Sequence, residues 1–366
     1  MLALHTAVLP KGKVLFFAGS GSSRVRFESP QFGNEAQGVY LSAVWDPTAP
    51  TANKANFFEP ETLRTVTDLP FDFFCAGHEF LPDGRLLVAG GTLLYMDNPM
   101  FLGRSDCAIF DPITQKWAFT ASMAQGRWYP TLISLADGRV LAASGLTEAG
   151  YELNETLEIF SPVNNTWQLK HIVGNANDFQ GLPLYAHLFS LKDGRVFFSG
   201  GRMDDDRPTL PCIINLAPNP AQTLPVPDLL EPDFRNQSAS VLLPPAQDQR
   251  VMVIGGGPMG KPDKRDATDK VSIVDLNAPN PIYVEGPTLC LARLHLNAVL
   301  LPDHTVFVSG GSLKTGRCTL GAPPIGALRS HHQHLALDGH GKRGASVSLN
   351  RCVAARRARG CSRGQS

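Results

Sequence analysis

The sequence has no excess charge of either sign: 33 basic side chains balance 33 acidic ones, and charged residues fill only 18% of its 366 positions. A neutral chain of this kind offers no basic stripe to nucleic acid and no polybasic face to an anionic membrane. It also lacks any apolar run long enough to span a bilayer. Its opening, MLALHTAVLP, has neither the basic start nor the long apolar stretch of a secretion signal, and reads as strand from the first few residues. Seven cysteines are irregularly spaced with no C-x-x-C pair, which points to neither a zinc site nor a disulfide framework. What is abundant is glycine and proline, 34 and 29 residues, beside 43% hydrophobic content. That mixture predicts many short strands joined by tight turns around an ample core.

One phrase recurs along the chain: an apolar alternating run, a P-D-G type turn, a basic residue, an apolar strand, then small residues and glycine. Its copies are HTAVLPKGKVLFFAGS from His5, HEFLPDGRLLVAGG from His78, PTLISLADGRVLAASG from Pro130 and AHLFSLKDGRVFFSGG from Ala186. Two more are SASVLLPPAQDQRVMVIGGG from Ser238 and LNAVLLPDHTVFVSGG from Leu296. After the first interval the spacing is roughly 55 residues, the range of a kelch propeller blade. Asp-Gly between β-rich runs is a hairpin signal, because glycine accepts the positive φ the turn requires. Between copies lies a second signature, IFDPITQKW (Ile109 to Trp117) and IFSPVNNTW (Ile159 to Trp167), which reads as the outer strands of a blade. A two-sheet sandwich would not need one phrase repeated at near-constant spacing. The expected fold is therefore all-β, a kelch-type β-propeller with about six blades encoded here.

The turn glycine serves as a ruler. Nine residues before it lie Cys75 in the second copy, Tyr129 in the third and Tyr185 in the fourth; His304 occupies the glycine slot of the sixth copy and leads to His295. The first copy gives Ala3, and the fifth, with a longer turn, falls near Ser238. Equivalent positions on successive inner strands form a ring, so Cys75 and Tyr129 are expected to be neighbours on adjacent blades. Phenolate and imidazole are both ligands for Cu(II), and a thiol beside a phenol near copper can be oxidised to a thioether. A strand cysteine is ordinarily a small buried hydrophobe and tyrosine an ordinary strand residue, so spacing alone leaves the structural reading open.

Three segments carry a family resemblance. DFFCAGHEFLPDGRLLVAGG (Asp72 to Gly91) resembles the galactose oxidase segment bearing a cross-linked cysteine, and GRWYPTLISLADGRVLAASG (Gly126 to Gly145) the one bearing the cross-linked, copper-binding tyrosine. The R-W-Y-x-T form is closer to the glyoxal oxidase branch, and ARLHLNAVLLPDHTVFVSGG (Ala292 to Gly311) is similar to the penultimate blade. The resemblance to these copper-radical oxidases runs from about Leu2 to Ser312. It implies a seven-bladed propeller, a copper ion, and Cys75 and Tyr129 as catalytic residues, with Tyr129 also a metal ligand. The tryptophan that galactose oxidase stacks over its cross-link is absent, with Leu146 and Thr147 in its place; Trp128 is a substitute by proximity. The family gives Tyr185 and His295 no ligand role, so they are expected in the core or lining a channel.

After Lys314 the pattern stops, and a tail rich in Arg, Gly and Cys follows, whose composition predicts disorder. The family expects here another blade with an axial tyrosine and a histidine ligand in the phrase R-x-Y-H-S. Back-translated and read one nucleotide later, the codons of Leu328 to Leu337 permit Y-D-P-I-T-N-T-W-R-W, and those of Ala345 to Gly360 permit P-R-Y-H-S followed by L-L-P-D-G-R-V. The expectation is an incomplete propeller over 1–313 and an out-of-frame tail over 314–366, with a frameshift near Gly316 and loss of the C-terminal domain that supplies another histidine ligand. His331, His332, His334 and His340 are then accidents of frame rather than a metal tract.

The resemblance implies oxidation of a primary alcohol, aldehyde or carbohydrate substrate, with O₂ reduced to H₂O₂. Only Tyr129 and Cys75 match the family's site, so this chain is expected to bind copper weakly if at all and to be inactive as written. The rival is a non-catalytic propeller scaffold that binds a protein or glycan through its loops.

Overall fold

A computed structural model of the chain describes residues 5–17, 42–48, 57–58, 73–95, 101–150, 152–173, 181–202, 210–258, 267–313 and 333–335. These form five antiparallel meander sheets and a shorter sixth. The first is β1 (His5–Val8), β2 (Val14–Phe17), β3 (Ser42–Trp45) and β4 (Phe57–Phe58), in chain order. The second is β5 (Gly77–Phe80) and β6 (Leu86–Ala89), then β9 (Cys107–Asp111) and β10 (Lys116–Thr120), with a separate hairpin of β7 (Thr92–Tyr95) and β8 (Phe101–Gly103) between. The third is β11 (Thr131–Ser134), β12 (Val140–Ala143), β13 (Leu157–Ser161) and β14 (Thr166–Lys170). The short β15 (Ile172–Val173) crosses over to pair in parallel with the outer strand of the fourth sheet, β16 (Leu188–Ser190), β17 (Val196–Phe198), β18 (Cys212–Asn215) and β19 (Ala221–Pro225).

These sheets, with the β7–β8 pair, make up one compact unit, residues 1–198 and 207–225. A second unit, residues 199–206 and 226–366, contains β20 (Ala239–Leu242), β21 (Arg250–Ile254), β22 (Val271–Asp275) and β23 (Tyr283–Glu285) as a fifth sheet. It also holds a three-stranded sheet of β24 (Leu294–Leu300), β25 (Val306–Ser312) and β26 (Gln333–Leu335). Each sheet is a propeller blade begun by one copy of the sequence phrase. Strand β26 comes from the stretch whose composition predicts no structure; it pairs with Val306–Val308, and the rest of 314–366 lies outside the described residues. Among the described residues helical structure is limited to single 3-10 turns such as Pro232–Phe234, and no helix is long and apolar enough to cross a membrane. Cys290 is disulfide-bonded, where the spacing of the cysteines had indicated no framework.

The hairpin turns explain the regularity. In β5–β6, Leu81 N–H donates to Arg85 O and Gly84 N–H to Leu81 O, a three-residue loop with Gly84 at φ +83°. The Asp83 carboxylate accepts from the Arg85 backbone N–H and from its Nε. Asp137 with Arg139, and Asp193 with Arg195, repeat both bonds. The same left-handed slot is filled by His304 at φ +68° and, in the fifth blade, by Gln249 at φ +49°.

The cores lie between consecutive sheets rather than within any one. Leu15, Phe17 and Val44 of the first blade pack with Leu86, Val88, Phe110 and Trp117 of the second, Leu87 and Cys107 with Leu132 and Val140 of the third, and Leu141 and Leu157 with Val196 and Ile214 of the fourth. In the second unit, Met252 and Ile254 pack with Leu296, Val306 and Val308. The two outer-strand tryptophans tie neighbouring blades: Trp117 Nε1 donates to Ser42 Oγ (3.1 Å) and Trp167 Nε1 to the Ala121 carbonyl (2.8 Å).

Candidate active site

The residues nine positions before the turn slot share one backbone conformation. Cys75, Tyr129, Tyr185 and His295 all have left-handed φ, at +65°, +64°, +43° and +57°. In the fifth blade the equivalent is Gln237, at +54°, one residue before the Ser238 expected from the sequence; Ala3 lies outside the described residues. The bend is where the chain arriving at a blade turns down into its inner strand, and it presents a backbone N–H to the blade before. Tyr129 N–H donates to the Cys75 carbonyl (2.9 Å) and Tyr185 N–H to the Tyr129 carbonyl (3.0 Å). In the second unit His295 N–H donates to the Gln237 carbonyl (2.9 Å).

Side chains in the first unit converge at this line. Cys75 is 4% exposed and Trp128 7%, packed with Leu153 and Leu184 against Phe74, Tyr129 and Leu146. Trp128 lies flat on Tyr129, with ring centroids 3.7 Å apart and planes 9° from parallel, and Tyr185 covers Tyr129 at 4.4 Å and 19°. The three rings form one column. Leu146 and Trp128 exchange backbone hydrogen bonds at 2.8 Å, so Leu146 braces the segment carrying the stacked indole.

The column is pinned at both ends. Trp128 Nε1 donates to Thr92 Oγ1 (3.2 Å), which donates to the Phe74 carbonyl (3.0 Å). Tyr185 Oη donates to the Ala76 carbonyl (3.1 Å). Burial, with Cys75 and Tyr129 close by, pushes the Tyr185 phenol well above its usual range, because its anion would be poorly solvated and would lie beside other incipient anions. Beneath the column Arg127 is fully buried; it donates to the Ser144 carbonyl (2.9 Å) and to Glu158 Oε1 (3.1 Å), and Glu158 Oε2 accepts from Ala124 N–H (2.6 Å). Gly90 is required here, since a Cβ on it would fall 2.4 Å from the Arg127 carbonyl oxygen.

Sequence reading missed these arginines. Arg127, Arg235 and Arg293 each stand two residues before a bend residue, and each sends Nη1 to a carbonyl at the end of its blade's second strand: Ser144, Gly255 and Gly310, all at 2.9 Å. The R-x-Y, R-x-Q and R-x-H spacing was the available signal. His295 is exposed and belongs to the second unit, which excludes a core role for it.

As a copper site the described residues are incomplete. Among them no three His, Cys, Asp or Glu side chains come together. Of the phenols at the column, Tyr185 is held protonated against a carbonyl and does not fit a ligand role. Tyr129 is left as the one candidate ligand at the column, its backbone N–H bonded to the Cys75 carbonyl.

No known protein-family profile matches the chain. Galactose oxidase of Gibberella zeae is 26% identical over 306 residues, covering 78% of this chain. The chain is similar to galactose oxidase. It spans about 40% of the length of that enzyme. A WSC domain-containing protein of Arthroderma benhamiae is 28% identical over 269 residues, 66% of this chain and 26% of its own length. Among solved structures, a fungal alcohol oxidase of the AA5 family, determined in complex with copper, superposes with a TM-score of 0.64 at 19% identity, covering 90% of this chain and 62% of its own. That likeness confirms the propeller fold.

Proposed function

We propose that this chain is built on the blades of a copper-radical oxidase, with Cys75 and Tyr129 as its thiol–phenol pair and Tyr129 as a copper ligand. The family reaction converts a primary alcohol or aldehyde to the next oxidation level while O₂ takes up two electrons and two protons to become H₂O₂. One observation carries the reading: Cys75 and Tyr129 are joined through their backbones at a bend of matched conformation, under a stacked indole. A scaffold that used only its loops would need none of these residues. Copper would supply the redox chemistry; the residues here would hold the phenol ring still and exclude water from it.

The described residues offer no second ligand, so the chain as written is proposed to be inactive. The tail after Lys314 is proposed to be read out of frame, since the shifted reading permits P-R-Y-H-S and L-L-P-D-G-R-V in order. Sequencing the DNA around the codons of 314–329 tests the frame. The frame-restored protein, loaded with copper, is expected to release H₂O₂ from small aldehydes or primary alcohols, and Tyr129→Phe to abolish that release. If the restored protein takes up no copper, the scaffold reading replaces the oxidase.

A further inference from the structure

Away from the aromatic column, two imidazoles meet between the first and second blades. His5, on β1, and His78, on β5, have ring centroids 5.6 Å apart with planes 84° from parallel. His5 stacks on Phe17 at 5.0 Å, and His78 meets the same ring edge-on at 5.3 Å. Phe73 and Trp117 close the apolar surroundings. Each histidine is anchored on the other's side, His5 to the backbone of Phe73 and His78 to that of Thr6. A neutral imidazole that donates one N–H to a carbonyl carries a lone pair on its other nitrogen. For His5 that nitrogen, Nε2, is buried and has no hydrogen-bond partner among the described residues. A buried polar atom left unsatisfied costs free energy, and native proteins rarely retain one without a reason.

We propose that His5 and His78 bind one cuprous ion between their ring nitrogens. The backbone-anchored imidazole, its tautomer fixed by a carbonyl, is the arrangement found behind metal-bound histidines. Two metal–nitrogen bonds of about 2 Å, with about 1 Å from each ring centre to its nitrogen, span about 6 Å in a line, so the rings at 5.6 Å need part by only about half an ångström to admit the ion, and linear coordination is indifferent to the angle between the planes. Both imidazoles are held neutral by burial, so neither needs to lose a proton to become a ligand. No carboxylate or third donor joins them among the described residues. A divalent ion would keep its full charge in an apolar shell, at a desolvation cost that grows with the square of the charge. A soft monovalent ion content with two neutral nitrogens avoids that cost. The proposal is independent of the oxidase reading, because neither residue belongs to the column.

The test uses the full chain with accessible thiols alkylated, since cysteines compete for Cu(I). Ascorbate-reduced copper is titrated against a chromophoric Cu(I) chelator. Wild type is expected to withdraw one equivalent more than either His5→Phe or His78→Phe. Phenylalanine keeps the ring stack, and circular dichroism checks the fold. Copper K-edge absorption of the wild-type adduct provides a reading that needs no variant: a two-coordinate, nitrogen-only environment supports the site. Sulfur-only coordination, equal uptake by wild type and variants, or no uptake by the alkylated protein overturns it and leaves Nε2 to a buried water.

Discussion

Replacing Glu158 by alanine should unfold the first unit far more readily than an ordinary surface change. The carboxylate and the Arg127 guanidinium are both 0% exposed; burial pulls the Arg127 pKa down, and Glu158 is the largest influence opposing it. Removing one partner of such a pair strands a charge in the interior, at about 3–5 kcal/mol. Here Ala124 N–H, which donates to Glu158 Oε2, is stranded as well, so the upper half of that range is expected. All four tryptophans, Trp45, Trp117, Trp128 and Trp167, lie in the first unit, so urea titration followed by their fluorescence reads that unit without interference from the second. The paired change Arg127→Met with Glu158→Leu removes both charges and should recover at least half of the loss. A Glu158→Ala cost under about 1 kcal/mol, or no recovery in the double variant, would refute the claim that this ion pair holds the bend beneath Trp128 and Tyr129.

Acid should weaken the interface between the first two blades. His5 has its pKa lowered from 6.5 to about 3 by burial, reinforced by His78. The folded state thus favours the neutral ring, and the unfolded chain takes up the proton first. The stability is intact above pH 6.5 and lost as pH falls toward 3, at about 3 kcal/mol by pH 4; His5→Phe should flatten the pH dependence of the melting temperature over that window. Trp117→Phe keeps the packing but loses the bond to Ser42, and should cost about 1 kcal/mol in the same urea titration. Gly90→Ala forces a Cβ against the Arg127 carbonyl at φ +75°, and should leave little folded protein, whereas Gly12→Ala, with open space around its Cβ, should remain soluble.

The blades and the bend residues were legible because a hairpin fixes register. Once Asp-Gly sets the turn, counting back along the inner strand lands on the same bend each time, and Cys75, Tyr129, Tyr185 and His295 fell where counting put them. The fifth copy slipped by one because its turn is rebuilt as Pro244, Pro245 and a 3-10 turn at Ala246–Asp248, so glycine counting loses its origin there. The stacking of Trp128 was not legible. Adjacent residues on a strand point to opposite faces, and only the left-handed bend at Tyr129 brings the two rings together. The arginines escaped notice because their partners are carbonyls, which leave no trace in side-chain spacing. Tyr185 read as a residue of the core or of a channel lining; it is half-buried, and its ring covers Tyr129.

The most direct measurement is peptide mass mapping of the frame-restored protein after exposure to copper and air. Joining the Cys75 sulfur to the Tyr129 ring removes one hydrogen from each, and O₂ accepts the two electrons and two protons as H₂O₂. The account predicts a single linked fragment holding the Cys75 and Tyr129 peptides, lighter than their sum by two hydrogens and absent from Tyr129→Phe. Recovery of the two peptides separately, from protein that has bound copper, would contradict it.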